Sequence, residues 1–238
     1  VVYHQAFGHT NTDRLIPMHN DMVFDLASVT KISATTMGIM KLYEEGKIDL
    51  NKTLGDYLSW TKGTDKAPLK LVDILLHQAG LNPFIPFYRE VIDTATGTPF
   101  PQYFSQIATP QYAYRVAENI YLRNDWRDTL FSRILSSNLT EQGKYVYSDN
   151  DFIFLGQIIE AVSGMSLDNY VRKTFYEPLG MTSTMYKPRE SMPLSVLVPT
   201  EVETHFRKQQ MHGDVHDEGA AMFGGVAGHA GLFSNAYD

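Results

Sequence analysis

Phe24-Asp25-Leu26-Ala27-Ser28-Val29-Thr30-Lys31-Ile32-Ser33-Ala34-Thr35-Thr36 is the stretch on which the reading of this chain turns. Ser28 and Lys31 are three residues apart, so on a helix the lysine amine folds back onto the serine hydroxyl. A hydroxyl is a poor nucleophile until a neighbouring base takes its proton, and a lysine does so once burial or a nearby cation favours its amine form. Ile32, Thr36, Ile39, Met40 and Tyr43 recur at helical spacing and predict the buried face of a helix that Gly46 ends. Ser28 then lies at the helix N-terminus, where free amide groups and the partial positive charge favour a developing anion. The structural alternative is an ordinary serine cap with a solvated lysine. Ser59-Trp60-Thr61-Lys62 has the same spacing, but between Gly55 and Gly63 it has no apolar stripe and reads as a loop.

The 238 residues are 43% hydrophobic and 12% aromatic, enough to bury the core of one large domain or two packed lobes. A net charge of −7 without any Lys/Arg cluster argues against a nucleic-acid partner. The absence of cysteine excludes disulfides, thiolate metal sites and cysteine nucleophiles. No stretch reaches the length of a transmembrane segment, and the first residues are not a signal peptide. Residues 1–8 alternate around Val2, Tyr3 and Phe7 and predict a strand already under way. At the other end, Ser234 reads as the cap of a helix about to begin. Both ends imply a piece truncated from a longer protein.

Between them the pattern is mostly helical. Leu71, Ile74, Leu75 and Ala79 predict a helix over 69–79 closed by Gly80, with His77 as a helix-end residue at the negative dipole end. The Pro- and aromatic-rich passage from Pro83 to about Pro110 reads as an excursion or lid. Helices are expected over 112–122 and 126–137. Phe152, Leu155, Ile158, Ile159 and Val162 mark another, ended by Gly164, and Ser166 caps one running to about Tyr176. Ser195–Pro199 is a short strand.

Tyr147 precedes the helix marked by Phe152, and at such a junction its phenol can reach a cleft beside Lys31 and relay a proton; its structural alternative is an amphipathic core tyrosine. Asp149 and Asp151 read as first-turn acids. The glycines between Gly219 and Gly231 are expected to pack closely beside the cleft, since no Gly-Lys-Ser/Thr follows. His212 and His216 are four apart, but Gly213 weakens a helical metal pair, so they are expected as loop histidines bonded to backbone and no metal is assigned.

The order of these motifs carries a resemblance. Ser28-x-x-Lys31, Leu75-Leu-His-Gln-Ala-Gly-Leu81, Tyr147-Ser-Asp149 before a Phe-x-x-Leu-Gly helix, and Pro178-Leu-Gly-Met181 are similar to the serine β-lactamase and penicillin-binding-protein superfamily, on the class C-like side with its esterases and D-aminopeptidases. Asp25–Lys31, Leu122–Asp125, Val215–Met222 and Gly224–Ser234 resemble more narrowly the β-lactamase-like domain fused to bacterial family 3 glycoside hydrolases, the β-N-acetylhexosaminidases.

The resemblance implies an α/β (α+β) fold, an antiparallel sheet flanked by helices plus a mainly helical subdomain. It divides one incomplete domain into a sheet lobe (1–27 and about 191–238) and a helical lobe (about 28–190). It casts Ser28 as the acylated nucleophile, Lys31 as proton acceptor and Tyr147 as second acid/base group, with Asp149 and His229 in supporting places. The substrate would be a small ester, amide, β-lactam or peptidoglycan-derived peptide, with no cofactor. A periplasmic or envelope location and a fused glycosidase follow from the family alone. Two departures stand out. Asp149 replaces the usual asparagine, so it can neutralise Lys31 but cannot donate an amide hydrogen bond and would repel a substrate carboxylate. The third motif, Lys-Thr-Gly or His-Thr-Gly, is missing, and His229-Ala-Gly231 imitates it in a different region. A non-catalytic accessory domain, binding cell-wall fragments or docking onto a glycosidase, is the rival reading.

Overall fold

The computed structural model describes residues 3–238. It has a mixed α/β fold in which small antiparallel sheets are packed against helices. The sheet nearest the Ser28 motif has three strands, with Leu232–Ser234 between Phe24–Asp25 and Met185–Tyr186. Phe24 faces Ser234 and Leu232 faces Tyr186, both in antiparallel register. Ser234 therefore lies in a central strand rather than capping a helix, and its hydroxyl shares a hydrogen bond of 2.7 Å with that of Thr184. The cap reading gave way because Leu232 and Phe233 find strand partners on both sides, while Asn235 accepts from the backbone of Tyr237 and Asp238.

Asp149–Ser163 is the central helix. Phe152, Phe154, Leu155, Ile158 and Ile159 are all buried, a nearly all-round apolar surface that suits a helix enclosed by other elements. Gly164 ends it at φ 69°. Against it lies the helical run 31–44, a π-helical segment Lys31–Thr36 leading into the α-helix Met37–Glu44. Here the apolar pattern misleads. Ile39 is buried, but Ile32, Met40 and Tyr43 are exposed, and the inward face consists of Lys31, Ala34, Thr35, Gly38, Ile39 and Leu42. Small residues let the helices approach: a methyl on Gly38 would come within 2.6 Å of Ile159.

Other elements shift in ways that local chemistry explains. Residues 112–122 form a hairpin, Tyr114–Ala117 with Ile120–Leu122, rather than a helix. Asn119, at φ 55°, makes the turn, and Val116 and Leu122 are its buried positions. The helix over 126–137 is present as Trp126–Ser136, and that over 69–79 is shortened to Leu71–Leu75. Ser166 precedes a helical run over 167–179. The strand read at 195–199 begins instead at Pro199 and pairs Pro199–Val202 with Gln210–His212. The excursion after Pro83 contains one short strand pair, Ile92–Asp93 with Thr98–Pro99, sends Phe104–Ser105 to pair with Ile120–Leu122, and is tied down by the buried Phe87 and Val91. Val2 lies outside the described residues, and 3–8 form no strand: Tyr3 and Phe7 are exposed and stack on each other, because alternation alone supplies no partner edge. Among the described residues, no helix is long and apolar enough to cross a membrane.

Candidate active site

The Phe24–Asp25 strand delivers the chain to Ser28, and Asp25 fixes how it leaves. Its Oδ1 accepts the Ala27 N–H at 2.8 Å and its Oδ2 the His216 N–H at 2.7 Å. Burial pushes the Asp25 carboxyl above its ordinary range, and these two backbone donors oppose that rise. Ala27 is held at φ 45°, a left-handed conformation costing about 1–3 kcal/mol outside glycine. The sharp turn leaves Ser28 exposed within the 3-10 turn Ala27–Val29. Ser28 is thus not the cap, since that place belongs to Leu26.

Lys31 is 3% exposed, and its ammonium has three acceptors: Ser28 Oγ at 2.9 Å, Asp149 Oδ1 at 2.7 Å and the His229 carbonyl at 3.3 Å. Three donors meeting three acceptors is the condition under which a lysine tolerates burial. The sequence separations are 3, 118 and 198 residues, so only the first contact is local. Asp149 is placed by the central helix it begins and by its N–H bond to Pro83 O. The His229 carbonyl is placed by the glycine loop. Gly228 lies so close to the central helix that an added methyl would meet Phe152 O at 1.9 Å, and the Thr35 hydroxyl donates to Gly228 O at 2.7 Å. The close packing expected of this glycine-rich stretch is present.

Tyr147 joins the group by its ring. The Lys31 Nζ sits 4.6 Å from the ring centroid, a cation–π contact, while the half-exposed phenol makes no hydrogen bond to Ser28 or Lys31 among the described residues. The His229 side chain points elsewhere than its carbonyl: Nε2 meets Asp217 Oδ1 at 2.8 Å, and Nδ1 is buried without a partner. Burial works to raise the Asp217 carboxyl, but His229 and the Ala220 N–H hold it well below the usual carboxylate range.

Asp149, Asp217 and His229 bring donor atoms within 4.8 Å of one another, a spacing that could hold a cation. The Lys31 ammonium already supplies positive charge there. His212 and His216 do not converge: His212 Nε2 faces the carbonyls of Leu194 and Leu197, and His216 faces Glu201. Ser59 lies in a short 3-10 turn, Ser59–Thr61, rather than a loop, and Lys62 meets it through the backbone, its N–H donating to Ser59 O at 3.2 Å. A cavity of about 50 Å³ beside the centre is bounded by Phe84, Tyr88, Asp149, Asp217, Glu218 and His229. A larger cavity, about 710 Å³ and lined by residues between Asp168 and Ser191, has none of the proposed site residues in its lining.

Sequence reasoning missed three features. Asp25 as organiser of the turn has a local signal, the short side chain two residues before the N–H it caps. Asp217 has one as well, the N-cap spacing to Ala220. The His77–Asp151 pair, 2.7 Å apart across 74 residues, has none.

The curated relatives include a "Putative D-alanyl-D-alanine carboxypeptidase" of Salmonella paratyphi A, 35% identical over 254 residues, which covers 97% of this chain and 52% of that protein. The chain thus spans about half the length of the curated relatives it matches. Among solved structures, the octameric penicillin-binding protein homologue of Pyrococcus abyssi aligns with a TM-score of 0.66 at 23% identity over 99% of this chain and 47% of that one. A class C β-lactamase from Rhodobacter sphaeroides aligns at 0.63 and 21% over 97% and 53%. These likenesses show the fold. The family model described as Beta-lactamase matches residues 1–238, and the chain belongs to the Beta-lactamase family.

Proposed function

We propose that this chain carries the acylation centre of a serine hydrolase acting on a small ester, amide, β-lactam or peptidoglycan-derived peptide. The observation that carries the reading is the 2.9 Å approach of the buried Lys31 amine to the exposed Ser28 hydroxyl. The Lys31 ammonium first gives up a proton to solvent, and the resulting amine takes the Ser28 proton while Oγ bonds to the acyl carbon. The leaving group departs with a proton delivered through Tyr147, and water later releases the acyl group by the reverse relay. The Ser28 N–H, in the 3-10 turn just ahead of the helical run, supplies half of an oxyanion hole. Tyr147 must swing its hydroxyl towards Oγ for this, a tightening that substrate binding commonly brings to loose resting geometry. The Asp149 carboxylate favours acyl groups without a carboxylate of their own.

The test is covalent labelling with a fluorophosphonate followed by peptide mapping. Modification of Ser28 that is lost in Ser28→Ala and Lys31→Ala supports the reading, and labelling elsewhere or not at all defeats it. A non-catalytic accessory domain is the second reading, favoured by Asp149 in place of an amide and by the disengaged Tyr147 phenol. Attachment to a glycoside hydrolase and an envelope location belong to the same proposal, and the full reading frame decides the first.

A further inference from the structure

Behind Tyr147 lies a buried pair that the acylation scheme does not use. His77 stands just past the helix Leu71–Leu75 at φ 56°, a left-handed conformation, with only 8% of its surface exposed. It grips the chain on both sides of Tyr147. Its carbonyl accepts the Val146 N–H at 2.8 Å, and its ring Nδ1 accepts the Ser148 N–H at 3.1 Å. The ring lies 4.7 Å from the Tyr147 ring, with Phe152 at 5.3 Å and Tyr145 edge-on at 5.8 Å. Asp151, two residues beyond Asp149 on the first turn of the central helix, brings Oδ2 to 2.7 Å from the same Nδ1; because that nitrogen's lone pair accepts the Ser148 N–H, Asp151 can share it only as the protonated acid, the form its burial favours. Tyr147 is otherwise half exposed on an irregular segment, so little else restrains where its phenol can go.

We infer that His77, oriented by Asp151, is a positioning residue for Tyr147: it holds the backbone of residues 146–148 so that the phenol stays within reach of Lys31 and Ser28. The inference rests on the hydrolase reading for its catalytic consequence, but the clamp itself can be measured without turnover. A purely space-filling role for the ring makes a different prediction, and two substitutions separate the two. His77→Asn keeps an acceptor close to the place of Nδ1 and tolerates the left-handed backbone, whereas His77→Gly keeps the backbone and removes the acceptor.

With the full-length protein and a chromogenic ester, His77→Asn is expected within about threefold of wild-type kcat and His77→Gly about 100-fold below it, the scale of loss for a misplaced acid/base group. In a Tyr147→Phe background, the His77→Gly loss should vanish. The Tyr147 ring NMR signal, assigned by its absence in Tyr147→Phe, should hold its position in His77→Asn and move in His77→Gly. Equal losses in the two His77 variants, additivity with Tyr147→Phe, or an unmoved ring signal in His77→Gly would each overturn the inference. If Ser28 proves unreactive while the ring signal behaves as stated, the hydrolase reading falls and the clamp stands.

Discussion

Asp149 and Asp151 are two residues apart on one helical turn, yet their surroundings give them opposite tasks. Asp149 faces the Lys31 ammonium and partly faces solvent. Asp151 is buried, one oxygen against His77 and the other without a partner, and burial pushes its carboxyl up to about 6 from an ordinary 3.8. The folded state therefore keeps a proton that the unfolded chain has lost between those two values. Its stabilising contribution is fully present below about pH 4 and declines as pH rises to about 6. Asp151→Asn should stabilise the folded state at pH 7 by up to about 3 kcal/mol for a shift of that size, seen as a higher Tm, and the gain should shrink towards nothing near pH 4. Thermal unfolding at the two pH values measures it, and a pH-independent difference would refute the assignment. Asp149→Asn acts on substrate choice instead. Two carboxylates about 4 Å apart repel by about 1 kcal/mol in water and about 4 kcal/mol at an effective dielectric of 20. Removing one should raise kcat/KM for a carboxylate-bearing ester relative to a neutral ester by about tenfold or more. An unchanged ratio would mean that the substrate carboxylate does not approach Asp149.

At the level of elements, the contacts legible in the sequence are those set by local spacing. Ser28 and Lys31 meet because three residues make one helical turn, and Gly164 ends the central helix because the left-handed stop needs a glycine. Tyr147 could be placed only through motif order, since nothing within 115 residues of Lys31 along the chain announces its ring. Inward and outward faces were less legible. The helical run 31–44 has apolar residues on both sides, and the small ones face in because the central helix lies so close. The hairpin at 114–122 passed for a helix because its alternation is short and its turn residue, Asn119, is common in both settings. Gly228 offers the sharpest test of how elements build the site. A methyl there would overlap Phe152 O, forcing the loop away from the helix and breaking both the Thr35 bond and the His229 carbonyl contact with Lys31. Gly228→Ala should cost about 1–3 kcal/mol, at about 2–4 °C of Tm per kcal/mol, and should slow fluorophosphonate labelling of Ser28 at temperatures where the variant remains folded. Unchanged labelling would show that the carbonyl does not help hold the lysine.

For the molecule as a whole, the outward face of the helical run 31–44 raises a question of association. Val29, Ile32, Thr36, Met40 and Tyr43 follow one another at intervals of three and four residues, which places them on one side of the run. Ile32 is 64% exposed, Met40 56% and Tyr43 55%. Single exposed apolar residues are ordinary, but a contiguous row is a surface on which chains associate. The Met185–Tyr186 strand, at an outer position of its sheet, adds a short edge able to take another strand. Because these side chains contribute little to the core, replacing them should alter association far more than folding. In the 238-residue chain, the pair Ile32→Lys and Met40→Lys should leave Tm within the effect of about 0.5 kcal/mol typical of surface changes. Sedimentation velocity should meanwhile show larger species giving way to monomer. A chain already monomeric with the row intact would remove the patch as a cause of association. A large fall in Tm would mean that this face is covered in solution.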